Sequence, residues 1–236
     1  MPAPLALSSH APSVFAGTAN VIAVLILLAE FAMFRQALLR GQVRLYAGQS
    51  ALLAALAVLV AADKNLPELY ALAAVTVALK VIAIPLVLRR LLRDTESADP
   101  LDAGHDIAGS GGLGLASTVL IGIAVAAFGF FAAVALPVRA GGAPVTALSV
   151  SLSVVLVAIT AMIHRRDVAS QAIGLFSLEN GISLAALVVA ASLPLIVEVA
   201  LLVDLLLAVV VFGLLIRLHH GRAESLSTAD LTSLRG

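Results

Sequence analysis

Four charged residues interrupt long apolar runs: Lys80, Glu179, Glu198 and Asp204. A charge placed in hydrocarbon costs about 2–3 kcal/mol or more, so such residues persist where they have a partner or a task. Glu179 and Asp204 belong to the stretch Ala169–Arg217, two apolar runs joined by a turn at Ser192-Leu193-Pro194. With a helix rise of ~1.5 Å per residue, Glu179 lies about 15 Å beyond Ala169, and Asp204 about 13–14 Å beyond Leu195 on the returning run. In a hydrocarbon core ~30 Å thick, both fall near the midplane, a carboxylate pair at one level. Glu198 lies only about 4–5 Å inside the far face. It is six residues from Asp204 and so points to another side of the same helix, near enough to the surface to be solvated. Lys80 lies about 16 Å from Leu69, again at mid-depth. An ammonium beside a carboxylate exists as an ion pair or as two neutral groups, and the two states differ by one proton transfer. That is the chemistry of a proton relay, and Glu179, Asp204, Lys80 and Glu198 are its candidate residues. The same charges can instead form a structural ion pair that fixes helix register. Glu30, about 6 Å from the end of its run, reads as a surface partner of Arg35. Asn180 reads as an interhelical hydrogen-bonding or packing residue.

The elements that would hold these residues are membrane-spanning helices. The 236-residue chain is 61% hydrophobic and only 12% charged, against roughly 45–50% and 25% in soluble domains. Seven apolar segments reach spanning length, over residues 14–34, 46–62, 66–88, 113–136, 145–163, 169–190 and 195–217. The expected fold is therefore an all-α polytopic membrane protein forming a single domain. It divides into three helices and a polar loop over 1–112, a fourth helix over 113–143, and three helices with a polar tail over 144–236. Pro85 follows Lys80 by five residues, removes one backbone donor and frees the carbonyl of Val81. Gly114, Gly122 and Gly129, and Ser149, Ser151 and Ser153, read as positions of close approach between helices. Tyr46 and Tyr70 fall near the expected interfaces, as in an aromatic belt.

Charge orients the bundle. Arg35, Arg40, Arg44, Arg89, Arg90, Arg93, Arg165, Arg166, Arg217, Arg222 and Arg235 all follow alternate helix ends and share one side, whereas Lys64 and Arg139 occupy the other. The positive-inside rule then places the N-terminus outside and the C-terminus in the cytoplasm, the parity that seven crossings require. The first residues carry no basic group before the apolar run, so the first helix is expected to remain as an anchor. The chain has no cysteine, which removes disulfides and thiolate-bound iron–sulfur clusters. His10, His105, His219 and His220 lie in tails or a loop and His164 at a helix end, so no haem or metal ligation is expected and no cofactor is assigned. The acidic segment Asp94–Asp106 reads as a solvated linker.

The hairpin IGLFSLENGISLAAL … PLIVEVALLVDLLLAVVV, with KVIAIP at Lys80–Pro85 and ELYAL at Glu68–Leu72, resembles component E of hydrogenase-4, a membrane subunit of formate-hydrogenlyase-type complexes. The resemblance covers nearly the whole chain. From about Val145 the last three helices also resemble the K-type subunit of respiratory complex I, through Arg165-Arg166, Ile173-Gly174-Leu175, Asn180 and the closing DLTSLRG. K-type subunits carry one glutamate on each of their second and third helices, within a lateral chain of charges along which protons are thought to move. Aligned on these cues, the two acids would fall at Phe176 and Leu207, whereas here they stand at Glu179 and Asp204, each displaced by one turn toward the outer face. The resemblance implies a non-redox membrane subunit, not an enzyme on its own, of a complex I-related oxidoreductase in the cytoplasmic (inner) membrane. The implied neighbours are antiporter-like membrane subunits, a membrane anchor subunit and peripheral redox subunits. Other readings are a subunit of a multi-subunit cation/proton antiporter-like complex, a purely structural membrane scaffold, or a small transporter acting alone.

Overall fold

A computed structural model describes residues 14–36, 38–96, 115–135, 144–165 and 168–189, together with Val210 and Gly213. The protein is an all-α, multi-pass membrane protein. Its helices are α1 (Val14–Arg35), α2 (Leu39–Lys64), α3 (Pro67–Thr76), a π-helical segment (Val77–Ala83), α4 (Ile84–Glu96), α5 (Leu115–Val134), α6 (Val145–His164) and α7 (Val168–Val189). Among the described residues, five stretches are long and apolar enough to cross a bilayer: Val14–Arg35, Leu39–Lys64, Pro67–Arg90, Thr146–His164 and Ala169–Val189. The third of these is α3, the π segment and α4 read as one rod. A shorter apolar helix, Val119–Val134, lies within α5. The first six expected crossings thus all appear as helices. The seventh, with Glu198 and Asp204, lies outside the described residues apart from Val210 and Gly213, as does Gly114.

Local chemistry explains the boundaries. Asn65 ends α2 in the left-handed conformation (φ 53°), and its N–H returns to the Ala61 carbonyl. Asparagine tolerates this region better than most residues. Leu66 N–H also bonds the Ala61 carbonyl, at 3.1 Å. Pro67 then opens α3, where its missing N–H leaves nothing unsatisfied. The perturbation expected at Pro85 appears just before it. The turn over Val77–Ala83 is widened, and Ile84 N–H bonds Leu79 O, five residues back. A proline ring crowds the carbonyl four residues earlier, and a widened turn relieves that clash. Lys80 sits within this widened turn.

The bundle is layered. α1, α2, α6 and α7 form its centre, with α1 on α2 and α6, and α2 on α7. α5 lies outside α6, and the α3–π–α4 rod lies outside α2. One core cluster gathers Ala23, Ile26, Leu56, Val60, Leu184 and Val188. A second gathers Met33, Tyr46, Ile84, Ile173 and Phe176. Small residues set the close approaches. A Cβ on Gly129 would stand 3.0 Å from Leu152 O and from Ser153 Cα and N. Ser153 Oγ donates toward Ala126 O of α5 (2.8 Å) and Ser149 O (2.9 Å), and Ser151 Oγ toward Gly181 O of α7 (2.8 Å). These serines therefore join helices, as their types suggest in hydrocarbon.

Two expectations are corrected. α2 begins at Leu39, seven residues before the expected start at Tyr46, so Arg40 and Arg44 are helical. Tyr46 is not an interfacial belt residue: it is fully buried, with its ring 5.8 Å from that of Phe176. The helix is longer than its apolar stripe because its first turns pack on neighbouring helices, so hydropathy alone misplaces its start. Tyr70, by contrast, is exposed.

Candidate functional site: a buried charge network across four elements

Lys80 and Glu179 meet in the interior. Lys80 Nζ lies 2.9 Å from Glu179 Oε1, and Lys80 is only 2% exposed. The widened turn carries the lysine on one side, and α7 supplies the carboxylate on the other. Lys80 Nζ also donates to Asn180 Oδ1 at 3.3 Å. Asn180 Nδ2 donates to Gln49 Oε1 (3.0 Å) and to Ser50 Oγ (2.9 Å) of α2. Gln49 Nε2 donates in turn to Glu30 Oε2 of α1 at 2.9 Å. The Ser177 hydroxyl donates to Glu30 Oε2 and lies 3.0 Å from Gln49 Oε1. Ser177 and Asn180, three residues apart on α7, face the same side. Glu30, Gln49, Ser50, Ser177 and Asn180 are all buried.

The bonds run one way. Lys80 gives to Asn180, Asn180 to Gln49, and Gln49 to Glu30. An ammonium heads the chain and a carboxylate ends it, and aligned bonds of this kind polarise one another in a low dielectric. The two carboxamides can pass polarity along the chain, but they hold no ionisable proton. Ser177 is different: its hydroxyl carries one proton and can turn it toward Glu30 or toward Gln49.

Glu30 departs from the sequence expectation. It is not a surface partner of Arg35; it is 1% exposed and bonded to α2 and α7. Depth along a helix follows from sequence, but the direction a residue faces depends on which helices close around it, and here α2 and α7 close over Glu30. Gln49 and Ser50 are not among the residues that depth and charge single out. Their signal was available, as an adjacent polar pair interrupting the apolar run Leu45–Ala62. Glu198 and Asp204 lie outside the described residues, so the expected Glu179–Asp204 level is represented here by Glu179 and its lysine partner.

A small cavity of about 20 Å³ adjoins Glu30 and is lined also by Gln42, Arg165, Ser170, Gly174 and Ser177. That is room for about one water molecule. Arg165 lines its far end. Its Nη2 donates to Met33 O (3.3 Å), Phe34 O (3.0 Å) and Gln36 O (2.8 Å), carbonyls at the C-terminal end of α1. This cation at a helix C-terminus also complements the helix dipole. Among the described residues no group of three metal-ligating side chains occurs.

No family model matches the chain, and no solved structure matches it. It is 35% identical over 202 residues to "Uncharacterized protein Rv0085" of Mycobacterium tuberculosis, covering 84% of this chain and 85% of the relative. An alignment at this identity over most of both chains shows that the chain belongs to the family of the Mycobacterium tuberculosis protein Rv0085.

Proposed function

We propose that the chain is a non-redox subunit of a complex I-related oxidoreductase assembly of the hydrogenase-4 type, in which it supplies buried charges to proton translocation. In this reading it crosses the cytoplasmic membrane seven times with its N-terminus outside. Antiporter-like subunits, a membrane anchor subunit and peripheral redox subunits surround it. Lys80 and Glu179 exchange one proton as neighbouring subunits change state, and Asp204 and Glu198 continue the path toward the outer face. The observation that carries the reading is the Lys80–Glu179 pair at 2.9 Å inside a membrane bundle, tied by hydrogen bonds to a second acid. A purely structural role needs only the pair. A continuous polar chain over α1, α2, the π segment and α7 is more than register requires, and intramembrane charges mark ion paths by default.

The test has two parts. The chain is purified from native membranes in mild detergent, and co-purifying subunits are identified by mass spectrometry. A hydrogenase-type large subunit with antiporter-like partners is expected; recovery of a stable, lone chain overturns the assembly. Glu179→Gln is then expected to abolish or uncouple proton movement in an intact complex. If the variant complex assembles and stays fully coupled, the network is a scaffold.

A further inference from the structure

The buried set carries one acid too many. Among the described residues, the buried charges are Glu30, Lys80 and Glu179, two carboxylates and one ammonium. The ammonium is committed to Glu179 at 2.9 Å. Among the described residues, the donors to Glu30 are neutral: Gln49 and Ser177, both on Oε2. Other charges near Glu30 can be named element by element. α5 carries no titratable residue, and α2 presents the neutral Gln42 and Gln49. α7 presents Ser170 and Ser177, with Glu179 beyond Asn180. At the end of α6, His164 stacks edge-on against Phe34, and Arg165 Nη2 donates to the carbonyls of Met33, Phe34 and Gln36. Arg35, on α1 itself, is exposed. A carboxylate left ionised in such a place without a cation is expensive, so it is neutralised by whatever can reach it.

The cavity supplies the means of reaching it. It runs alongside α7 from Ser170 to Ser177, about 10 Å of helix rise, and joins Glu30 to the helix end where Arg165 sits. We infer that Glu30 is a proton-loading site, filled through this cavity from the Arg165 end, and that its charge state is transmitted to Lys80–Glu179 through Ser177, Gln49 and Asn180. This rests on reading Lys80–Glu179 as a proton-handling pair. The step is a simple transfer: a hydrated proton in the cavity breaks its bond to water oxygen, and an O–H bond forms on Glu30. Neutral Glu30 then no longer demands the Ser177 proton. Ser177 turns to Gln49 Oε1, 3.0 Å away, and competes there with Asn180 Nδ2. The hold of Asn180 on Lys80 changes with it, and so does the balance of the ion pair.

The full-length chain in lipid nanodiscs tests this by infrared pH titration in water and in deuterated water. Wild type is expected to show the band of a protonated, exchangeable carboxylic acid that vanishes in Glu30→Gln and persists in Glu179→Gln. Glu30→Asp is expected to keep the band at a shifted frequency, which covers the case in which Glu30→Gln fails to fold. Ser170→Leu, which fills the cavity, is expected to delay deuterium exchange of that band. Persistence of the band in Glu30→Gln, or its absence from wild type, overturns the assignment. Unchanged exchange in Ser170→Leu overturns the route. Replacement of the band by a sodium-dependent carboxylate signal would make Glu30 a metal-cation site and overturn the proton. None of these readouts needs redox partners, so they stand or fall separately from the proposed assembly.

Discussion

Lys80, Glu179 and Asn180 differ in what their removal would leave behind. Lys80→Met strands the Glu179 carboxylate in a site where Lys80 Nζ stood 2.9 Å away. Breaking a buried pair from one side costs about 3–5 kcal/mol, because the remaining charge is uncompensated. Adding Glu179→Leu removes that charge, so the double variant is expected to recover most of the loss. A double-mutant cycle on unfolding midpoints in mixed micelles measures the coupling, and additive losses would show that the pair contributes no mutual stabilisation. Asn180→Ala acts without changing any charge. It leaves Lys80, Gln49 and Ser50 each short of one partner, and a buried group left unsatisfied costs about 1–3 kcal/mol. The same titration should place Asn180→Ala between wild type and Lys80→Met.

Between helices, close approach decides stability. Gly129→Ala would bring Cβ to 3.0 Å from three backbone atoms of α6. Backbone cannot yield as a side chain can, so α5 must move outward, at a cost of about 1–3 kcal/mol. At Gly122 the clash is with the rim of the Phe34 ring, 2.9 Å away, which can turn aside. Gly129→Ala is therefore expected to lower the unfolding midpoint more than Gly122→Ala. Such positions were legible in the sequence, because small residues in an apolar helix have few uses besides close contact. Helix rise converts residue number into distance along a helix, and Lys80 and Glu179, each well inside its apolar run, meet in the interior. What was not legible is azimuth and partnership. Glu30 was expected at a surface and Tyr46 at the start of its helix, yet each faces the bundle, because α7 packs against both. Pro85 signalled a disturbed helix, but not that the widened turn would precede it and contain Lys80. Pro85→Ala removes the reason for that turn. The segment is then expected to tighten toward α-helix and swing Lys80 away from Glu179, and a midpoint loss resembling that of Lys80→Met would show it.

For the whole molecule, the ends of the bundle carry the orientation. The C-terminal ends of α1 and α6 lie together, since Arg165 binds the carbonyls of Met33, Phe34 and Gln36. At the opposite end the last turn of α2 meets the first of α1, where Lys64 Nζ stands 5.6 Å from the Phe15 ring centre. Alternation of this kind gathers Arg35, Arg40, Arg44, Arg89, Arg90 and Arg165 at one end and leaves Lys64 at the other. Under the positive-inside rule such a bias sets the orientation, whereas acidic residues contribute little to it, and on the proposed reading the arginine-rich end is cytoplasmic. The chain contains no cysteine, so a single introduced thiol reports its own side of the membrane without background. Leu38→Cys, an exposed position between α1 and α2, and Glu68→Cys, an exposed position in the first turn of α3, leave every lysine and arginine in place. In intact cells a membrane-impermeant maleimide is expected to label Glu68→Cys at once and Leu38→Cys only after permeabilisation. The reverse pattern would invert the bundle and put the Glu30 cavity on the outer face. Labelling of both in intact cells would mean that the arginine-rich end does not hold a single orientation, and the proton route argued from that end would lose its direction.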